Sequence, residues 1–459
     1  MYASPRERHE LGRTRRSVLP RSALGDFAAD TGRPDPVCLL TSQDERRVGE
    51  LIPIRYGRML ASSFAFFRGA ALVMAADLAK GPSCGLDVQL CGDAHACNFG
   101  LFGSPERNLV FDINDFDETL PGPWEWDIKR LVASLAIAGR DNGFRDDDRR
   151  NVVRACARAY RERMRELAAL GELDVWYSHV VIDNATEASV DPRFAGKIRS
   201  AAAKARTRDN LEASSKLTTI VDGQRRLVCD PPLLVPIEEL LGEQDARQHE
   251  QHMEELFEKY RTSLARSRAH LVRRYRYAGM ARKVVGVGSV GSRAWVVMLI
   301  GRDDHDPLLM QVKEAGPSVL ETYLGPSGYA NAAERVVEGQ RFMQASSDIL
   351  LGWLRCVGPD DHEGDYYVRQ LRDWKGAISV ESLSPAMLCD YGRSCAHALA
   401  RAHARTGDRI AIAGYLGSGE VADEALTRFA EQYADQNERD FLALREAAAD
   451  HRIKAKTDL

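Results

Sequence analysis

Apolar residues follow helical spacing along the first part of the chain. Near residue 278 the pattern turns to β-branched and glycine-rich alternation, and from about residue 381 helical spacing returns. This order predicts an α+β chain of two lobes, with a compact β-rich unit between helical stretches. A length of 459 residues also exceeds what one core usually serves. The expected division is a basic N-terminal arm (1–44), a helical lobe (45–277), a β-rich lobe (278–380) and C-terminal helices that pack back on the helical lobe (381–459).

Composition narrows the partners. Basic residues number 63 against 67 acidic, so no global cationic field favours nucleic acid. Arginines crowd the first 24 residues without a following apolar stretch, which reads as a solvated, partly disordered terminus. No apolar run is long enough to span a bilayer, and a cytoplasmic protein is expected. The nine cysteines are scattered, lack a C-x-x-C and read as reduced thiols.

Local patterns sketch the elements. Val48 to Ala79 reads as a helix ended by Gly81-Pro82, and Leu86 to Cys91 and Leu109 to Ile113 read as short strands. Trp124 to Gly139 and Asp147 to Leu170 are amphipathic, with a hairpin expected at Asp222-Gly223 and a long charged helix from Gln248 to Tyr277. Lys283 to Ile300 alternates around a glycine-rich turn, Leu308 to Val312 is a strand ending at Lys313, and Ala330 to Ser347 is a helix. Asp365 to Leu371 is a further strand, and Met387 to Ala404 and Glu420 to Ala447 are helices.

Both early strands run into polar clusters. After the first comes Gly92-Asp93-Ala94-His95-Ala96-Cys97-Asn98, with a carboxylate and a carboxamide five residues apart. Phosphoryl transfer uses that spacing: the Asp orients an attacking hydroxyl and the Asn ligates magnesium. After the second comes Asp112-Ile113-Asn114-Asp115-Phe116-Asp117-Glu118, which carries the hard oxygen ligands magnesium prefers. Strand alternation brings Asp115 out at the loop as principal ligand, with Asp112 and Asp117 as alternates. A polar turn that satisfies its own amides is the plainer reading of either cluster alone. His95 either contacts phosphate or braces its loop. Asp127 either braces that loop too or serves only as a helix-start acid.

The string C-G-D-A-H-A-C-N, followed by N-D-F-D, resembles the catalytic and metal loops of the aminoglycoside phosphotransferase branch of the protein-kinase-like superfamily. The departure is Cys91, where that branch usually has His. The segments I-R-Y-G-R-M, F-F-R-G-A-A and N-D-F-D-E-T-L-P-G-P-W-E-W-D, with V-G-V-G-S-V-G, Q-V-K-E-A and Y-V-R-Q-L-R-D downstream, resemble the domain-of-unknown-function 2252 family over most of the chain.

The kinase resemblance implies a bilobal fold binding ATP and Mg2+, with its nucleotide lobe after the catalytic loop, as in a circular permutation. Gly286, Gly288, Ser289 and Gly291 would cover the phosphates and Lys313 would grip them. Glu338, or Glu334 on the same helix face, would pair with Lys313, while backbone near Gln370 and Leu371 would take the adenine edge. Asp93 would orient a hydroxyl on an unidentified small-molecule or protein acceptor. Three alternatives stay open: a nucleotide-binding pseudokinase or scaffold, AMP transfer from the same pocket, and a metal-dependent phosphoesterase, for which further His ligands are lacking.

Overall fold

The computed structural model describes residues 3–27, 32–181, 192–207, 210–221, 223–284, 286–371 and 374–457. Among the described residues thirteen strands form four sheets. β1 (Asp87–Leu90) pairs with β4 (Leu120–Pro123), and β2 (Phe99–Gly103), β3 (Leu109–Ile113) and β5 (Val180–Val181) form a second sheet. β6 (Thr218–Val221) and β7 (Gln224–Leu227) form the expected hairpin, although Asp222 in its turn lies outside the described residues. The largest sheet contains β8 (Leu234–Pro236), β9 (Arg276–Lys283), β10 (Ala294–Ile300), β11 (Pro307–Ala315), β12 (Gly352–Val357) and β13 (Glu363–Gln370). It is antiparallel throughout, in the order β12-β13-β11-β10-β9-β8.

The mixed α+β class is therefore present, but the β-rich unit begins earlier than residue 278. β8 adds Leu234–Pro236 at its edge, and the helix Glu243–Thr262 packs Met253, Leu256 and Tyr260 against the sheet. The expected helix from Gln248 to Tyr277 is interrupted, because Arg266–Val272 is a separate helix and β9 starts at Arg276.

Strand alternation gives this sheet two unlike faces. Trp295, Val297, Met310, Val312, Tyr366 and Val368 form one apolar face under the Glu243–Thr262 helix. On the other, Gln311 pairs in register with Arg369, and Lys313 with Tyr367. Lys313 lies within β11 rather than at its end. The helix Ala332–Met343, capped by Asn331 Oδ1 on the amides of Ala333 and Glu334, connects β11 to β12.

The helical body is built around Trp124–Asp141, whose first sixteen residues are all buried. Trp124 stacks on Tyr160 at 5.6 Å between ring centroids, and Asp146–Ala168, Pro385–Thr406 and Val421–Ala449 enclose the shared core. The C-terminal helices thus pack on the helical body. The stretch Val48 to Ala79 is not one helix: Ser62 caps a new start by accepting the Ala65 amide, and Ala70 separates Ser63–Gly69 from Ala71–Leu78.

The arginine-rich start is ordered, contrary to a solvated arm. Pro5–Thr14 is a helix with a capping box between Ser4 and Glu7. Arg8 pairs with Asp408, while Arg16 and Arg21 donate to the carbonyls of Gly414, Tyr415 and Leu416, the orphan acceptors at the end of the helix Arg409–Leu416. No described helix is long and apolar enough to cross a membrane.

The buried pair Arg161–Asp423 joins two helices through several hydrogen bonds of 2.8–3.1 Å. Arg161→Ala strands a buried carboxylate and is expected to cost about 3–5 kcal/mol in urea unfolding, whereas replacing both residues with leucine is expected to recover most of that loss. A single-variant loss under about 0.5 kcal/mol would contradict the assignment.

Candidate functional site

The two polar loops predicted from the sequence meet through the backbone. The amide of Asn114 donates to the Asn98 carbonyl at 2.8 Å, extending the ladder in which Phe99 faces Ile113. The Asn98 side-chain amide donates to the Asp93 carbonyl at 2.7 Å, which closes the loop on itself and leaves its Oδ1 as the group suited to ligation.

Asp127 holds the start of this loop. Its carboxylate accepts from the amides of Cys91 at 2.8 Å and Gly92 at 3.0 Å. Gly92 has φ +82°, and a Cβ there would meet the Glu118 backbone, so only glycine fits. His403 Nε2 lies 3.2 Å from Asp127, while its Nδ1 lies 2.8 Å from the Tyr160 hydroxyl. Burial, with Asp127 nearby, pushes the Cys91 thiol well up, so it serves as packing rather than as a nucleophile.

Arg130, one turn beyond Asp127, donates to Asp93 Oδ1 at 2.6 Å and stacks over Phe67. Burial pushes the Asp93 carboxyl up, opposed by Arg130. His95 accepts the Cys97 amide on Nδ1 at 3.2 Å, which puts its proton on Nε2, 3.7 Å from Asp93. Burial, then Arg130 and Arg68, push its pKa well down, so it is a neutral loop brace.

The sheet contributes the opposing wall. Lys313 pairs with Asp117 and donates to Ser289 Oγ at 2.9 Å, and Tyr367 donates to the other Asp117 oxygen at 2.9 Å. Burial pushes the Asp117 carboxyl up, but Lys313 and Tyr367 more than offset it and hold it below its ordinary value. Asp115 lacks that compensation: burial and the neighbouring Asp117 push it up despite Lys313 and Arg369. Arg369 donates to the Asn114 carbonyl. Half-buried Lys375 is pushed down to about 7 by burial and by Arg369, against the pull of Asp348 and Asp115.

The glycine-rich loop closes over this group. Gly286 at φ +68° and Gly291 at φ +89° make its turns, and Lys313 touches Ser289 between them. Arg47 donates to the carbonyls of Gly288 and Val290, Arg58 to that of Gly286, and the Val48 amide to Gly291. Gly288 leaves room for the Arg68 carbonyl, 3.2 Å from where a Cβ would stand.

Other expected site residues are engaged elsewhere. Asp112 is locked to Arg401 by two contacts of 2.6 Å in the buried β3, so its oxygens serve an internal ion pair rather than a metal. Glu338 pairs with Arg341, leaving Asp117 as the carboxylate on Lys313. The Gln370 amide donates to Asp348 and the Leu371 amide to the Leu309 carbonyl, so neither is free for an adenine edge. Among the described residues no group of three or more His, Cys, Asp and Glu is placed to hold a metal, and the candidate ligands Asp115 and Asp117 are joined by the Asp117 amide donating to Asp115 Oδ1 at 3.2 Å.

Sequence reading missed Arg130, Arg369, Tyr367 and Lys375. A signal existed for two of them: Tyr367 and Arg369 sit two apart in a strand, the period that puts both on the face of Lys313.

The chain belongs to a family described as an uncharacterized protein conserved in bacteria (DUF2252), whose model matches residues 47–447. No curated protein and no solved structure matches it.

The raised pKa of Asp115 makes its ionisation oppose folding. That penalty is absent below the ordinary carboxylate range and sets in as pH rises through the raised value. Asp115→Asn is therefore expected to be more stable than wild type at pH 7, with the difference closing below about pH 4. Urea midpoints in chelator test this, and equal midpoints at pH 7 would refute it.

Proposed function

We propose that this chain is a Mg-ATP-dependent phosphotransferase of bilobal, protein-kinase-like fold whose nucleotide lobe follows its catalytic lobe in sequence. The observation that carries the reading is the meeting of Lys313, Asp117 and Ser289, which bring together the strand, the acidic loop and the glycine-rich loop, three motifs that converge in a kinase site. The order of parts agrees: a glycine loop between strands, a lysine on the following strand, a helix and two further strands. Asp127 bracing the loop of Asp93 supports it as well.

The residues suit the ligand. Asp115, together with Asp117 and Asn98, offers oxygen ligands for Mg2+, and Lys313 and Arg369 supply cations for phosphates. Mg-ATP would supply the transferable phosphoryl group. Lys313 would leave Ser289 to hold phosphate oxygens while Asp117 keeps its ammonium in place. Asp93 would use Oδ2 to orient the acceptor hydroxyl, because Oδ1 is held by Arg130. Adenine recognition falls to groups other than the amides of Gln370 and Leu371.

A second reading, a nucleotide-binding scaffold without turnover, is favoured by the Arg130 ion pair on Asp93, which weakens that carboxylate as a proton acceptor.

ATP is expected to raise the apparent melting temperature only with magnesium. Lys313→Ala should weaken nucleotide affinity by about tenfold or more, and Asp115→Asn should remove the magnesium dependence. No shift in folded protein at millimolar ATP would overturn the proposal. Binding without ATP consumption across a broad acceptor panel would select the scaffold reading.

A further inference from the structure

Arg68 lies in the last turn of the helix Ser63–Gly69, where the main chain is held between two loops of the candidate site. On one side the carbonyl of its neighbour Phe67 accepts from Arg130, the residue that binds Asp93. On the other, the Arg68 carbonyl abuts Gly288 of the glycine-rich loop. The Arg68 side chain is half-buried and makes no hydrogen bond or ion pair with any described residue. Of its three nitrogens only Nε is shut off from solvent.

The neighbouring arginines are not idle in this way. Arg47, Arg58, Arg130 and Arg369 each hold a carbonyl or a carboxylate. The carboxylates of this corner are already engaged: Asp93 by Arg130, Asp127 by the amides of Cys91 and Gly92, and Glu118 by the amide of Val319. Asp93 stays reachable, with 20% of its side chain exposed. The charge of Arg68 acts on Asp93, His95 and Cys97, whereas the cations acting most on Asp115 and Asp117 are Lys313 and Arg369. One pair of cations thus serves the metal side, and Arg68 serves the loop of Asp93. Complementing the dipole of a seven-residue helix does not call for a side chain drawn in until its Nε is covered.

We infer that Arg68 is an acceptor-binding residue: the molecule whose hydroxyl Asp93 orients carries an anionic group, a carboxylate or a phosphate, that docks on the Arg68 guanidinium. A planar guanidinium matches either anion through paired N–H donors. His95, with its proton on Nε2 near Asp93, adds a neutral donor to the same corner. The role of the hydroxyl rests on the phosphotransferase reading, while the anion contact needs no nucleotide.

The test titrates the full chain, without nucleotide and at constant ionic strength, with glycerol 3-phosphate, glycerate and glycerol in a calorimeter. At least one of the two anions is expected to bind and glycerol is not, and the anion that binds tells phosphate from carboxylate. Arg68→Gln should weaken that binding about tenfold, and Arg68→Lys, which keeps the charge, should restore part of it. In wild type the bound anion should also slow phenylglyoxal modification of the peptide that carries Arg68, a readout that requires no variant to fold. No anion binding at tens of millimolar, equal affinity in Arg68→Gln, or an unprotected Arg68 would each overturn the assignment. Normal magnesium-dependent ATP binding in a chain without the anion site would remove the role of Arg68 alone. Anion binding at Arg68 in a chain that ignores ATP would instead remove the phosphotransferase reading and keep the anion site.

Discussion

The ion pair between Lys313 and Asp117 joins the sheet to the helical body, and the geometry of the candidate site depends on it. Both groups leave water, and the associated cost is recovered only if each finds several partners. They do: Ser289 and Tyr367 complete the pair, and buried Arg335 ties the carbonyls of Asp117, Thr119 and Gly316 together. Such a seam contributes little net stability compared with an apolar one. What it contributes is registry, since a shift of one residue in β11 would put Val312 where the ammonium must be.

On the other side of the site, Asp127 performs a similar task through main-chain amides. The chain Tyr160–His403–Asp127 runs from the long helices to the loop of Asp93, and every member is buried. Cys91 stands where the kinase-like motif that this loop resembles usually carries His, and an imidazole reaches Asp127 from the helix Pro385–Thr406 instead. The Cys91 thiol is only a weak donor to that carboxylate, whereas the imidazole joins it to Tyr160. The loop is held by a residue more than three hundred positions away.

Much of this was legible in local pattern. The strands before each polar loop, the Trp124 helix and the glycine turn each follow from period and turn chemistry; Asp93, Asn98, Asp115 and Asp117 were singled out on spacing and strand alternation, and Ser289 and Lys313 on the kinase resemblance. What failed were choices among equivalent side chains. Glu338 and Glu334 were the expected partners for Lys313, whereas the partner it has, Asp117, comes from a loop far earlier in the chain. Asp112 reads as a metal ligand until Arg401, from the far end of the chain, is seen to claim it. The ordered N-terminal segment was hidden for a similar reason: its arginines satisfy carbonyls of the helix Arg409–Leu416, which no local window contains.

The arginine grip on the glycine-rich loop has a thermodynamic consequence. Because Arg47, Arg58 and Val48 already fix the carbonyls of Gly286, Gly288, Val290 and Gly291, the conformational entropy of that loop is lost when the protein folds. A ligand arriving beneath it meets a surface that has little freedom left to surrender, so its affinity is not reduced by ordering the loop. The same restraint would keep the loop from wrapping a poorly fitting guest, so that in the proposed site shape discrimination would rest with the loop.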